Sequence, residues 1–171
     1  MAAMISPEFC RTMARYNAWQ NRQIQTACAG MTETELRTDR GAFFGSILAT
    51  LNHLLWGDMI WMSRFDGGPA PRGGIRESPD LCPTFAVWSA DRFRMDGRIR
   101  QWAGGLHNLD LAGDLVWFSG AAGREVSKPV ALCVTHMFNH QTHHRGQVHA
   151  MLTAAGQTPG DTDLFLMPEE V

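Results

Sequence analysis

The chain has 171 residues, 44% of them hydrophobic and 19% charged, with a formal net charge of −2. That length fits one domain with a substantial core, and the faintly acidic balance leaves no electrostatic footprint for nucleic acid. The four cysteines (Cys10, Cys28, Cys82, Cys133) are scattered without a C-x-x-C pair, no apolar run approaches the roughly 20 residues of a membrane span, and Met1 to Phe9 lacks the basic start and apolar core of a signal peptide, so we expect a soluble protein of the reducing cytoplasm.

Ser6-Pro7-Glu8 opens the first helix, with Ser6 as N-cap and Pro7 at the first helical position. This helix runs through Met13, Tyr16, Asn17, Trp19, Gln20 and Ile24 and stops at Gly30; Tyr16 and Trp19 fit the edge of a core. Met31 to Gly41 is a connection in which Thr32-Glu33-Thr34-Glu35 forms a short helical turn. The second long helix is expected from Ala42 to Phe65, ahead of the break at Gly67-Gly68-Pro69. Phe44, Ile47, Leu48, Leu51, Leu55 and Met62 make one apolar stripe on it, and Ala49, His53, Trp56 and Ile60 make a second on the opposite side. A helix apolar on two sides lies deep in a core or is shared between core and partner subunit. Asp58 falls on the first stripe, where a carboxylate needs a partner such as an arginine or tyrosine of another helix.

Pro69 to Pro83, rich in Gly, Pro and Arg, is a long crossover loop. A third helix starts at Pro83 or Thr84, runs through Phe85, Trp88, Phe93, Met95, Ile99 and Trp102, and ends at Gly104-Gly105. Its Asp91, Arg92, Arg94, Asp96, Arg98 and Arg100 have the mixed charge of a solvated face. Leu115–Ser119 and Arg124–Lys128, flanking Gly120-Ala121-Ala122-Gly123, suit a small β-hairpin that hangs on the bundle as a flap. Pro129 to Ala155 is the last long helix, closed by Gly156, and the tail Asp161–Met167 is apolar enough to dock back on the body. Four long helical segments with one long crossover give an all-α four-helix bundle with a hairpin before the last helix, in a single domain over 1–171.

Five of the seven histidines fall within the fourteen residues His136 to His149 of that last helix. At about 100° per residue, His144 lies inside the apolar stripe of Cys133, Met137, Val148, Met151 and Leu152, and His140 lies at its edge one turn earlier. His136 and His143 fall further round, and His149 points roughly the opposite way. Two imidazoles at i and i+4 on an inward edge suit a shared metal ion, because each buried ring brings polar nitrogens that need partners. A histidine network local to the helix remains the alternative on geometry alone. The zinc-protease motif is absent: it needs Glu directly after the first histidine, where Gln141 stands. The third ligand must come from elsewhere, and His53, in the apolar row of Ala49 and Trp56, is the strongest candidate.

Leu51-Asn52-His53-Leu54-Leu55-Trp56-Gly57-Asp58, followed by Asn139-His140-Gln141-Thr142-His143-His144-Arg145-Gly146-Gln147, resembles the DinB/YfiT-like family. Tyr16-Asn17-Ala18-Trp19 and Thr162-Asp163-Leu164 extend the resemblance over nearly the whole chain. The resemblance implies a four-helix bundle holding a divalent ion, zinc or nickel, on His53, His140 and His144, with His143 left out of the set. It also implies a homodimer. The family's name comes from a DNA-damage-inducible gene and is a regulatory label, and nothing here resembles the similarly named lesion-bypass polymerase.

Three histidines leave a metal at least one open position, which is the catalytic arrangement. The resemblance implies relatives that transfer low-molecular-weight thiols to electrophiles or isomerise maleylpyruvate with a thiol cofactor. The expectation is therefore a metal-dependent thiol S-transferase or hydrolase acting on a small electrophilic substrate that enters past the crossover loop and hairpin. Gln147, near the pocket edge, is placed to bind substrate or orient a ligand histidine, whereas Asn139 and Arg145 belong to the surroundings of the site or the surface. No general base is identifiable; His136 is the nearest spare histidine. The alternative from another class is a non-catalytic metal-binding stress-response protein that acts through ligand or partner binding.

Overall fold

The computed structural model describes residues 4–170. Among these, α1 (Pro7–Cys28), α3 (Ile47–Asp66), α4 (Phe85–Gly105) and α5 (Val130–Ala154) are long helices, α2 (Glu33–Arg37) is a single short turn, and β1 (Asp114–Ser119) pairs with β2 (Arg124–Pro129). The architecture is the expected four-helix bundle with one long crossover and a hairpin before the last helix. α1 packs chiefly on α4, while α3 packs on α5, on α4 and on the crossover loop. No described helix is long and apolar enough to cross a membrane.

The helix starts follow hydroxyl capping, in which a side-chain oxygen takes an otherwise unpaired N–H of the first turn. Ser6 accepts from Phe9 N–H, Ser46 from Ala49 N–H and Thr84 from Val87 N–H. Thr32 and Glu35 cap α2 reciprocally. The second long helix begins at Ile47 rather than at Ala42. Ala42 and Gly45 form an isolated bridge, Gly45 takes φ +78°, and Ser46 is the N-cap, so the chain turns sharply before entering the helix. Phe44 consequently stands outside the helical stripe to which its spacing assigned it. The last helix starts at Val130, because Pro129 closes β2 opposite Asp114.

The core joins Leu48, Leu51, Leu55 and Met62 of α3 to Trp88, Met95 and Ile99 of α4 and Met137, Phe138, Val148 and Leu152 of α5. Trp88 satisfies its indole N–H on the Leu51 carbonyl at 2.9 Å, so a large ring is buried with no unpaired donor. All four cysteines are free and buried. The second apolar side of α3 is packed by the chain's own crossover loop. There the Asn52 amide donates to the carbonyls of Pro79 (2.8 Å) and Cys82 (3.1 Å), and the Trp56 indole donates to that of Gly73 (3.3 Å).

The charged face of α4 is not uniformly solvated. Arg92 is 2% exposed and Asp96 8%, and both join a polar layer that crosses the bundle. Arg92 Nη1 donates to Asp58 Oδ2 at 2.5 Å, and its Nη2 lies 2.9 Å from Asp96 Oδ1. Gln141 Nε2 donates to the other Asp58 oxygen at 2.6 Å, and Asn21 Nδ2 donates to Asp96 at 2.9 Å. Asp58 thus has the arginine partner its burial required. The tail also departs from expectation: it docks through its backbone. Tyr16 Oη donates to the Thr162 carbonyl (2.5 Å), Gln20 to that of Asp161 (2.9 Å), and Arg15 to those of Pro168 and Glu169, while Phe165 stays 84% exposed.

Candidate metal centre

His53 projects from the middle of α3, and His140 and His144 project one turn apart from α5. Because α3 and α5 are neighbours in the bundle, the three rings meet. Their centroids lie 5.1 Å (53 to 140), 4.9 Å (53 to 144) and 4.5 Å (140 to 144) apart. One nitrogen from each falls within 4.8 Å of the others. The Nε2 atoms of His53 and His140 are 3.1 Å apart. Nitrogens bound tetrahedrally at about 2.0–2.1 Å from an ion stand about 3.3 Å from one another, so the cluster has the dimensions of such a site.

Hydrogen bonds on the far side of two rings fix which nitrogen carries the proton. Ser78 Oγ gives its own proton to the Ile75 carbonyl (2.7 Å), so it can only accept at the 2.8 Å contact with His53 Nδ1. His53 is therefore Nδ1-protonated, and its Nε2 lone pair faces the cluster. The Gln147 carbonyl oxygen, 2.7 Å from His144 Nδ1, imposes the same tautomer there. Outer partners of this kind orient ligand imidazoles and raise their basicity. Gln147 is thus engaged with a ligand candidate, and its amide nitrogen lies 3.5 Å from His143 Nε2.

Burial keeps the trio neutral. It pulls His53 down to about 4, helped by the adjacent His144, and pulls His140 down to about 3, helped by His144, His53 and the two other nearby histidines. His144 is also lowered by burial, against the opposing effect of the hydrogen bond it donates to Gln147. Three neutral imidazoles, two of them with Nε2 lone pairs freed by their Nδ1–H tautomer, form an electron-rich pocket that a cation would relieve.

Several neighbours complete the site. Phe44 stacks on His53 with centroids 4.0 Å apart, and Trp56 lies nearly parallel to the same ring at 6.2 Å. Gly57 faces His140 so closely that a Cβ there would stand 2.9 Å from the ring's Cε1. His136, one turn before His140 and exposed, sets its ring against Trp61. Beyond it, Arg64 lies over both Trp61 (4.6 Å) and Trp117 of β1 (5.2 Å), which joins the hairpin to this side of the bundle. Asn139 is exposed, and Arg145 is buried on another side of α5. Gln141 points away from the cluster into the polar layer.

Sequence reasoning brought the three histidines together but passed over Ser78, Gly57 and Phe44. Gly57 left one signal, a glycine inside an otherwise strong helix, where it is disfavoured by roughly 1 kcal/mol. Ser78 left none, since nothing in its surroundings marks it as a partner of a residue 25 positions earlier.

Residues 4–170 of the chain match the DinB family. The chain is also similar to Protein DinB of Bacillus subtilis (strain 168), at 24% identity over 165 residues that cover 93% of each protein.

Proposed function

The chain belongs to the DinB family, and from that membership and the histidine cluster we propose that it is a metal-dependent enzyme with a divalent ion held by His53, His140 and His144. The observation that carries the proposal is the convergence of three neutral imidazoles, two of them locked by Ser78 and Gln147 as Nδ1–H tautomers. The donor set is all nitrogen, which suits zinc or nickel. Three protein ligands leave a coordination position open, and a bound ion would supply Lewis acidity there, lowering the pKa of a water or thiol or polarising a carbonyl.

The reaction class we assign is S-transfer from a low-molecular-weight thiol, or related hydrolysis, on a small electrophilic substrate. The chain's own residues support it in specific ways. Ser78 and Gln147 hold the ligand rings in place, Phe44 and Trp56 shield the His53 side from water, and His136 offers the nearest uncommitted imidazole for moving a proton. Partial cover by Trp61, followed by the Arg64 charge, lowers His136, which keeps that ring able to accept one. The aromatic surface of Trp61 and Trp117 under Arg64 borders the approach and suits a flat or unsaturated substrate. The working form is a cytoplasmic homodimer.

Metal content by mass spectrometry tests the proposal, using untagged wild type and the variants His53→Ala, His140→Ala and His144→Ala. About one divalent ion per chain is expected, lost in each variant, followed by histidine-dependent turnover in a screen of thiols and electrophiles. Failure to retain or take up zinc or nickel refutes the site. Stoichiometric metal without turnover refutes the enzymatic part and leaves a metal-binding protein that acts through a ligand or partner.

A further inference from the structure

The seam between α3 and α5 leads from the histidine cluster to an arginine. The two helices meet antiparallel in successive rungs: His53 against His144, Gly57 against His140, and Trp61 against His136. His136 is exposed and His140 half-buried, so the seam is open to solvent on that side. At about 100° per residue, Arg64 returns to within about 20° of the face that carries His53. It lies beyond Gly57 by about 10 Å along the helix, at 1.5 Å per residue.

Arg64 is a cation without a counter-charge. Its guanidinium carbon stands 4.6 Å from the centre of the Trp61 ring and 5.2 Å from that of Trp117. Burial lowers the guanidinium, opposed only by Cys133, and no carboxylate takes part. The acidic side chains that border the same cleft are engaged elsewhere. Asp66 binds Arg98 through both oxygens (2.6 and 2.8 Å), and Asp110 accepts the His107 N–H at 2.8 Å. None of the Arg64 nitrogens is both sealed and unpaired, so the donors left free meet solvent, at the edge of an open cleft of about 630 Å³. Contact with the two indoles steadies the charge and leaves N–H donors of the guanidinium edge for an incoming group.

We propose that Arg64 receives the carboxylate of a small, flat, unsaturated monocarboxylate whose other end lies along the seam toward the histidine cluster. One guanidinium matches one negative charge, and its forked donors match the two oxygens of a carboxylate. The assignment rests on the metal-dependent reading above and deepens it by naming the substrate class, with Arg64 as the residue that sets specificity. The carboxylate subsite itself is made of side chains alone, so it can be measured with and without an ion.

The test is an NMR titration of the full-length protein with trans-cinnamate and with cinnamamide, in zinc and in EDTA, following the indole N–H signals of Trp61 and Trp117. The two probes share a shape and differ in charge. Cinnamate should bind about tenfold tighter, the worth of one hydrogen-bonded contact to a charged group. Arg64→Met keeps an apolar stem against the indoles and should erase that preference, with cinnamamide affinity and metal content as in the wild type. Arg64→Lys, which keeps the charge but not the fork, should retain only part of it. No saturable shift with cinnamate, equal affinity for the two probes, or a preference that survives Arg64→Met would overturn the proposal. Protein that takes up no zinc yet keeps the preference would count against the metal reading and in favour of the carboxylate subsite, so the two failures are told apart.

Discussion

Replacing Gly57 with alanine sets two effects of opposite sign against each other. Inside a helix alanine is favoured over glycine by about 0.5–1 kcal/mol, because glycine loses more backbone freedom on folding. The new methyl group, however, would stand 2.9 Å from His140 Cε1 and 3.3 Å from its Nδ1. Carbon atoms prefer separations of about 3.5–4.0 Å, so the ring must retreat by roughly 0.6 Å. His140 is the least buried of the three rings, so it can swing toward solvent without opening the core. That retreat exceeds the ~0.2 Å tolerance of a metal–nitrogen distance. We expect zinc affinity to fall about 10- to 100-fold, which corresponds to about 1.4–2.7 kcal/mol. The metal-free protein should keep its melting temperature or gain about 2–4 °C. Chelator competition gives the affinity, and circular dichroism melting in EDTA gives the stability. Unchanged zinc affinity would refute the role of His140 as a ligand seated against Gly57, and a parallel loss of metal-free stability would mean that the glycine serves packing alone.

Ser78→Ala leaves the His53 Nδ1–H without its acceptor, and the same competition assay should show a loss of about 10- to 100-fold in zinc affinity; wild-type affinity would dismiss the outer partner. Asp58→Asn breaks the buried pair with Arg92 and should cost about 3–5 kcal/mol in urea unfolding, with a loss below about 1 kcal/mol contradicting the importance of the polar layer. The metal-free protein should also be acid-sensitive. In the unfolded chain His53 and His140 titrate near 6.5, whereas burial holds them at about 4 and about 3 in the folded state. Between those values the unfolded state binds more protons, so stability is full above about pH 6.5 and declines as pH falls toward 4. Urea titrations across that window should show the decline, and His140→Gln should lessen it; stability that rises on acidification would contradict the burial of neutral rings.

Periodicity made the bundle and its histidines legible. The i, i+4 spacing of His140 and His144 and the row containing His53 each describe one face of one helix, and a single face is what a sequence records directly. The hairpin was legible for a similar reason: alternation and a glycine-flanked turn are local signals. The start of α3 was misplaced by five residues because the apolar spacing of Phe44 continues the helical stripe, and only the left-handed Gly45 and the capping Ser46 stop it. Arg92 and Asp96 look in sequence like the other charges of this helix; Asp58 of α3 buries Arg92, and Arg92 with Asn21 of α1 draws in Asp96. The tail was read through its side chains, yet it is held by its carbonyls, which every residue possesses and no sequence pattern reveals. Ser78 is illegible for the reason that makes it useful: it opens a three-residue 3-10 turn (Ser78–Asp80) within the crossover and reaches a ring on another element.

The polar layer has a consequence for how the chain comes to be folded at all. Its contacts join residues 34 positions apart (Asp58 and Arg92), 83 apart (Asp58 and Gln141) and 128 apart (Asn17 and Arg145). A chain that has formed α1, α3 and α4 but not α5 holds Asp58 short of the Gln141 amide and leaves the Asn17 side-chain oxygen without its Arg145 donor, so a three-helix arrangement gains less by burying them. Completion therefore waits for the last helix to arrive. That helix also delivers two of the three clustered histidines, so the candidate metal centre is complete only when the bundle is, and a half-made chain offers His53 alone.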